Sequence, residues 1–240
     1  MEKLLDAKRR QISNTCMFSE RSLDMLKRKM SVDYYRKGTN IFWEGDPSGK
    51  LFYVIRGRVK LLKSGDDGKD LALHYFMSDD LFGELNCFGC GEYSFTACAA
   101  ANCTIGVIRE QDVEEALLEN TGLSLDFMKW AGAMNHYTQV KMRDLLFYGK
   151  NGALASTLIR MMHGYGRNET DGVHYSIRLT NAELAQLIGS TRETVNRMLQ
   201  AWKKDGAIDY RHGSIVIKDL NYLKSICHCE DRCPMNICRL

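Results

Sequence analysis

Two hundred and forty residues, 45% hydrophobic and 26% charged, exclude a mainly disordered chain and leave enough apolar side chains for more than one core. No uninterrupted apolar run of about 18 residues occurs, so no membrane-spanning helix is expected. The net charge of +3, from 33 basic and 30 acidic side chains, is too near balance to mark a nucleic-acid partner, so any such charge must be local.

The opening stretch MEKLLDAKRRQ lacks an apolar signal-peptide core, and a cytoplasmic location is expected. Residues 1–30 read as polar and helical. From Tyr34 the texture changes: Gly38, Gly45, Gly49, Gly57, Gly65 and Gly68 punctuate short apolar runs. Residues 51–55, 59–62, 71–77, 95–101 and 104–108 read as strands, and their spacing suggests an antiparallel sandwich or roll. Residues 111–120 form a short helix and 123–148 a long one, interrupted only by Gly132. On the long helix Phe127, Ala131, Met134, Thr138 and Leu145 fall near one stripe, with Trp130 beside it. That stripe reads either as a coiled-coil-like dimer seam or as a face packed on the chain's own roll; periodicity does not separate the two. Gly149-Lys150-Asn151-Gly152 reads as a hinge, residues 153–164 as a helix and 173–179 as a strand.

Thr180 with Glu183 makes a capping box opening a helix whose apolar face is Leu184, Ala185, Leu187 and Ile188. Gly189 suits a tight turn, and Ser190 or Thr191 caps a second helix over 192–204. Val195, Met198, Leu199 and Trp202 face inward there, leaving Arg192, Glu193, Asn196 and Arg197 outward. Helix, glycine turn and helix, followed by a hairpin over 207–210 and 214–218, is a winged helix-turn-helix pattern. Arg donates two hydrogen bonds to guanine and Glu accepts from cytosine, so the first turn of the second helix carries base-reading chemistry. Residues 151–226 hold 10 basic and 7 acidic side chains, compatible with phosphate contacts.

Nine cysteines stand out: Cys16, Cys87, Cys90, Cys98, Cys103, Cys227, Cys229, Cys233 and Cys238. An odd count without an export signal argues against a disulfide framework and toward metal or redox chemistry. Cys98 and Cys103 sit in apolar runs and read as small buried hydrophobes. Cys87 and Cys90 have a ligand-like spacing, so a second metal site or a thiol pair is the lesser reading there. The tail 227–238 packs four thiols into twelve residues, with Pro234 after Cys233. Such a run suits an iron–sulfur cluster or zinc, His228 included, and spacing does not choose between them.

The stretch Gly189-Ser190-Thr191-Arg192-Glu193-Thr194-Val195-Asn196-Arg197 resembles the recognition-helix motif of the CRP/FNR family. Lys37-Gly38-Thr39, Glu44-Gly45-Asp46, the Gly57 turn and Phe82-Gly83-Glu84-Leu85 resemble the same family's effector roll. The resemblance spans about residues 20–225 and implies an α+β chain: an antiparallel, cyclic-nucleotide-binding-like β-roll with its N-terminal helix (1–120), a dimerisation helix and hinge (121–150), a winged helix-turn-helix (151–226) and a cysteine-rich tail (227–240). It implies a homodimeric transcription factor, with double-stranded DNA and RNA polymerase as partners. Ser190, Thr191, Arg192, Glu193, Asn196 and Arg197 then face a palindrome of TGTGA-like half-sites.

Family members that bind cyclic nucleotides pair a Gly-Glu step with a later Arg-Ser step. Gly83-Glu84 matches the first, but no Arg lies between Gly83 and Arg109, so no cyclic nucleotide is expected. Cys229, Cys233-Pro234 and Cys238 resemble the tail of the Bacillus-type FNR branch, which implies a [4Fe-4S] cluster completed by Asp144 at the end of the long helix. The C-x3-C-x4-C spacing departs from that branch's C-x2-C-x4-C, leaving Cys227 as an alternative ligand. The implied device is an oxygen switch: an intact cluster ties the tail to the joint between roll and DNA-binding domain, and its loss moves the recognition helices out of register. Replacing Asp144 by Ala is then expected to weaken DNA binding while sparing the fold. A zinc or thiol switch is the alternative, and a non-catalytic metal or thiol carrier the alternative of another class. No nucleophile–base constellation is legible, so an enzyme is not expected.

Overall fold

The computed structural model describes residues 13–65, 70–85 and 91–229. A 3-10 turn (Asn14–Met17) and α1 (Glu20–Arg28) lead into eight strands: β1 (Ser31–Tyr35), β2 (Asn40–Phe42), β3 (Lys50–Arg56), β4 (Arg58–Ser64), β5 (Asp70–Met77), β6 (Leu81–Glu84), β7 (Thr96–Ala99) and β8 (Cys103–Arg109). They pair antiparallel in two four-stranded sheets, ordered β1-β8-β3-β6 and β2-β7-β4-β5. Aromatic side chains fill the space between the sheets. Phe42 stacks on Tyr93 at 3.8 Å between centroids, and Phe52 and Phe76 each lie 5.1 Å from Phe82. The β3–β4 connection turns on Gly57, whose φ of +114° and the Asn102 carbonyl 2.6 Å from any added Cβ exclude another residue.

The first sheet is covered by α1, α2 (Glu110–Glu119) and the N-terminal half of α3 (Thr121–Phe147). Asn120 caps α3, accepting from the Leu123 N–H at 2.9 Å. Twenty-seven residues make α3 about 40 Å long. It breaks at Tyr148, and α4 (Gly149–Tyr165) starts on Gly149 at φ +59°. The hinge expected over 149–152 is therefore shifted and narrower: Tyr148 and Gly149 depart from helical geometry, and residues 150–152 already lie in the first turn of α4.

Residues 149–227 form one winged-helix unit. It comprises α4, β9 (Gly166–Glu169), β10 (Gly172–Tyr175), α5 (Asn181–Leu187), α6 (Arg192–Lys204), β11 (Ile208–Arg211), β12 (Ser214–Ile217) and α7 (Leu220–Cys227). Its sheet runs β11-β12-β10-β9. The strand expected over 173–179 ends at Tyr175, and 176–180 is an extended link into α5. Residues 152–162 of α4 are buried without a break, because α5, α7 and β10 pack around the helix. This core continues into the second sheet of the roll: Leu62, Ala72, Tyr75 and Met77 share it with Leu184, Ala185, Leu187 and Ile188. Among the described residues no helix is long and apolar enough to cross a membrane.

Candidate DNA-reading face and metal-ligand joint

The capping box forms as the spacing requires. Thr180 Oγ1 accepts from the Glu183 N–H at 3.2 Å, and Glu183 Oε2 accepts from the Thr180 N–H at 2.8 Å. Gly189 turns the chain at φ +57°, and Thr191 caps α6 by accepting from the Thr194 N–H at 3.2 Å. Val195, Leu199 and Trp202 are buried, which points the opposite face of α6 outward. Thr191, Arg192, Glu193, Asn196 and Arg197 are all exposed there, while Ser190 is half-buried and its hydroxyl oxygen is enclosed without a partner. The β11–β12 hairpin closes on His212 and Gly213, both at positive φ, and forms the wing. A cleft between wing and recognition helix is lined by Arg178, Thr180, Asn181, Arg192, Tyr210 and Gly213. Arg178 and Tyr210 are additions to the sequence-based set. Both stand in the extended link or the wing, where no helical period flags them.

The second site lies where α3 meets α4. Asp144 is 1% exposed, not a surface carboxylate. Its Oδ1 accepts from Arg143 Nε at 3.1 Å and Nη2 at 2.8 Å; its Oδ2 accepts from Ser156 Oγ at 2.5 Å and from Arg160 Nη2. Lys141 is turned elsewhere, its ammonium donating to the Ala72 and Leu73 carbonyls at 2.6 and 2.9 Å. The chain returns to this joint through α7, which the sequence reading did not anticipate. Asp219 caps α7 through the Tyr222 N–H at 3.0 Å, and Leu223 and Cys227 are buried against α4. Cys227 is thus the last residue of a packed helix and 2% exposed, not the start of a free tail. Its thiol is pushed up to about 11, first by burial, then by Cys229 and by Asp144, which places all three groups within electrostatic reach. His228 ends α7 in the left-handed conformation and stacks on Tyr148 at 5.1 Å. A Cβ on Gly152 would sit 2.2 Å from Tyr148 Cβ and 3.3 Å from the Ile226 carbonyl, so the joint closes without spare volume. Cys233 and Cys238 lie outside the described residues, as do Cys87 and Cys90. Thiols and a carboxylate gathered at one joint are donor classes that, with the thiols deprotonated, fit an iron–sulfur cluster or zinc. Cys98 and Cys103 are buried in the roll, and burial raises both thiols.

Inside the roll a cavity of about 500 Å³ lies between β4–β6 and α3, lined by Leu61, Leu73, Phe76, Phe82, Trp130 and Met134. Glu84 stands at its edge, with Oε2 accepting from the Ser94 N–H at 2.9 Å. Lys141 also lines it, but burial and Arg160 lower its pKa to about 7, and both carbonyls noted above already engage its amine.

The dimer stripe needs correction. Phe127 and Trp130 pack against Phe18 at 6.4 and 6.5 Å, and Asn14 Nδ2 donates to the Met134 sulfur at 3.6 Å. Leu145 packs on the winged-helix core. Only Ala131 and Thr138 of that set are exposed. A different stripe is free of the chain's own core: Leu125, Met128, Gly132, Asn135, Gln139, Met142 and Leu146, alternating by three and four and every one exposed.

A family model described as a cyclic nucleotide-binding domain matches residues 32–120, and one described as a Crp-like helix-turn-helix domain matches 152–226. The anaerobic regulatory protein of Bacillus subtilis is 38% identical over 216 residues, covering 89% of this chain and 88% of that protein. A CRP-like cAMP-activated global transcriptional regulator of Mycobacterium tuberculosis is 27% identical over 195 residues, covering 81% and 87%. Among solved structures, a CooA mutant from Carboxydothermus hydrogenoformans superposes with a TM-score of 0.75 at 21% identity, covering 92% of this chain and 97% of that one. The exposed reading face on a capped recognition helix, the wing and these matches together make the chain a member of the CRP/FNR family and a DNA-binding transcription regulator.

Proposed function

We propose that the chain is an oxygen-responsive, anaerobic regulator that reads a palindromic TGTGA-like site as a homodimer and acts with RNA polymerase. Its metal group is a [4Fe-4S] cluster held by Asp144, Cys229, Cys233 and Cys238, with Cys227 as the alternative ligand. The observation that carries this reading is the joint itself. Cys227 and Cys229 are delivered by α7 to the place where α3 ends and where the buried Asp144 bridges α3 to Ser156 and Arg160 of α4. The anaerobic role in the name of the Bacillus subtilis relative supports the same direction. When bound, the cluster supplies iron–thiolate bonds that oxygen can dismantle.

The protein's own part is mechanical. Asp144 has both oxygens engaged here, so serving as a ligand requires it to give up at least one of its bonds to Arg143, Ser156 and Arg160. Ser156 and Arg160 stand one turn apart on the same face of α4, so releasing Asp144 from them frees the α3–α4 joint that positions the recognition helix. Half-site reading is sensitive to such placement. Cyclic nucleotide is not the expected effector, because the roll cavity is apolar and its one lysine is committed to two carbonyls.

The test is anaerobic purification with iron, sulfide and zinc measured per subunit. About four irons and four sulfides, with colour bleached by air, support the reading; one air-stable zinc without sulfide replaces it with the zinc alternative. The seam of the dimer is assigned to the exposed heptad stripe. Met142→Glu together with Leu146→Glu is expected to convert a species of twice the chain mass of 27.4 kDa into a monomer in sedimentation analysis. Phe127→Glu would instead damage the fold, since that ring packs on Phe18.

A further inference from the structure

We propose that the winged-helix domain is latched to its own sensor roll by the Arg58–Glu183 ion pair, and that this latch holds the metal-free chain in a state that binds DNA poorly. The second clause rests on the metal-switch reading above.

Arg58 opens β4 directly after the Gly57 turn, and its Nη2 donates to Glu183 Oε1 at 3.0 Å. The two side chains are 18% and 22% exposed, so the pair is largely withdrawn from solvent. The guanidinium also lies 5.6 Å over the Tyr75 ring. On the other side, Glu183 is fixed by its second oxygen, which caps α5 through the Thr180 N–H and hydroxyl. One carboxylate therefore ties the first helix of the DNA-reading unit both to its own start and to the roll. A second contact repeats the pattern one turn on: Lys60 Nζ donates to Gln186 Oε1 at 3.4 Å. Residues two apart on a strand and three apart on a helix each share a face, so the two pairs form one continuous seam. Leu71 of β5 closes it, with Cδ1 only 3.5 Å from where a Cβ on Gly189 would stand.

The seam leaves Arg192, Glu193 and Arg197 exposed, so it does not cover the reading face; it fixes the orientation of the domain that carries it. The orientation it fixes is that of a chain whose Asp144 is engaged by Arg143, Ser156 and Arg160 and is not available as a ligand. The latch and the engaged Asp144 therefore occur together, in the conformation in which Asp144 is not a ligand. Two recognition helices must present together to one palindrome, so a domain held in another orientation binds weakly while its reading side chains remain intact.

The test uses the full-length, metal-free protein. Arg58→Met keeps the apolar stem over Tyr75 but removes the charge. Glu183→Gln keeps an oxygen for the Thr180 cap and removes the partner charge. Both metal-free variants are expected to bind a duplex with TGTGA-like half-sites at least about ten-fold more tightly than the metal-free parent, with faster hydrogen exchange in α5 and β5. Faster exchange with unchanged or weaker DNA binding would show that the contact does not inhibit, and unchanged exchange would show that the pair is no latch; either result overturns the proposal. Iron and sulfide analysis of the anaerobic parent reports on the metal reading separately, and its failure leaves the metal-free comparison intact.

Discussion

Asp144→Ala is expected to destabilise the metal-free chain by about 3–5 kcal/mol, the range for removing one partner of a buried ion pair. The magnitude comes from what is left behind. Arg160 is 8% exposed, and with Asp144 gone its guanidinium loses its carboxylate in a core built by α4, α5 and α7. Ser156, also buried, loses its acceptor. Arg143 adds little, because its side chain is 44% exposed and also lies over the Tyr148 ring. Asp144→Ala combined with Arg160→Met should recover most of the loss, since it removes the stranded charge along with its partner. Urea unfolding of metal-free protein reads both. Equal stability of parent and Asp144→Ala would contradict the buried pair. This revises the expectation that Asp144→Ala spares the fold. Loss of DNA binding in that variant would mix ligand loss with destabilisation, and the double variant separates them.

What was legible from the sequence is what short-range chemistry dictates. Thr180 acts on Glu183 and Thr191 on Thr194, each three residues on, and Gly189 turns the chain by its own φ, so the helix-turn-helix follows from local chemistry without any tertiary contact. Strands β3, β4, β5, β7 and β8 were legible for the same reason, with glycine turns bounding apolar runs; β1, β2 and β6 were not. Which face of α3 stays free of the chain's own core was not legible either. Phe127, Trp130 and Met134 are large apolar residues of α3, but Phe18 and Asn14, more than a hundred positions earlier, claim them for the roll. The true free stripe carries Gly132, Asn135 and Gln139 at its centre, which lowers its hydrophobicity below that of its neighbour. Asp144 reads as a helix-surface acid beside Arg143 because its other partners arrive twelve and sixteen residues later, across a helix break. Helix α7 did carry a local signal, Asp219 ahead of Leu220, Leu223 and Cys227, but it overlaps the cysteine run. Its packing turns Cys227 from a tail thiol into a core residue and brings Cys229 to the joint.

Arg192→Ala and Arg197→Ala are each expected to lower affinity for the palindromic site by about 1–3 kcal/mol per half-site, and so about 2–6 kcal/mol for the dimer, the worth of a bidentate arginine–guanine contact. Both side chains are exposed and make no contact that holds α6, whose buried face is Val195, Leu199 and Trp202, so unfolding midpoints should stay within about 0.5 kcal/mol of the parent. The discriminating measurement is a titration series on duplexes with single-base changes. At the guanine that Arg192 or Arg197 reads, the parent should discriminate strongly and the matching variant not at all, while preference elsewhere in the half-site persists. Arg178→Ala gives the contrast: facing the cleft between wing and helix, it is expected to weaken binding to every duplex alike and to shallow the salt dependence by about one unit per half-site. If Arg192→Ala and Arg197→Ala instead weaken all duplexes equally, the arginines contact phosphates, and sequence must be read by Thr191, Glu193 and Asn196, the other exposed polar groups of that face.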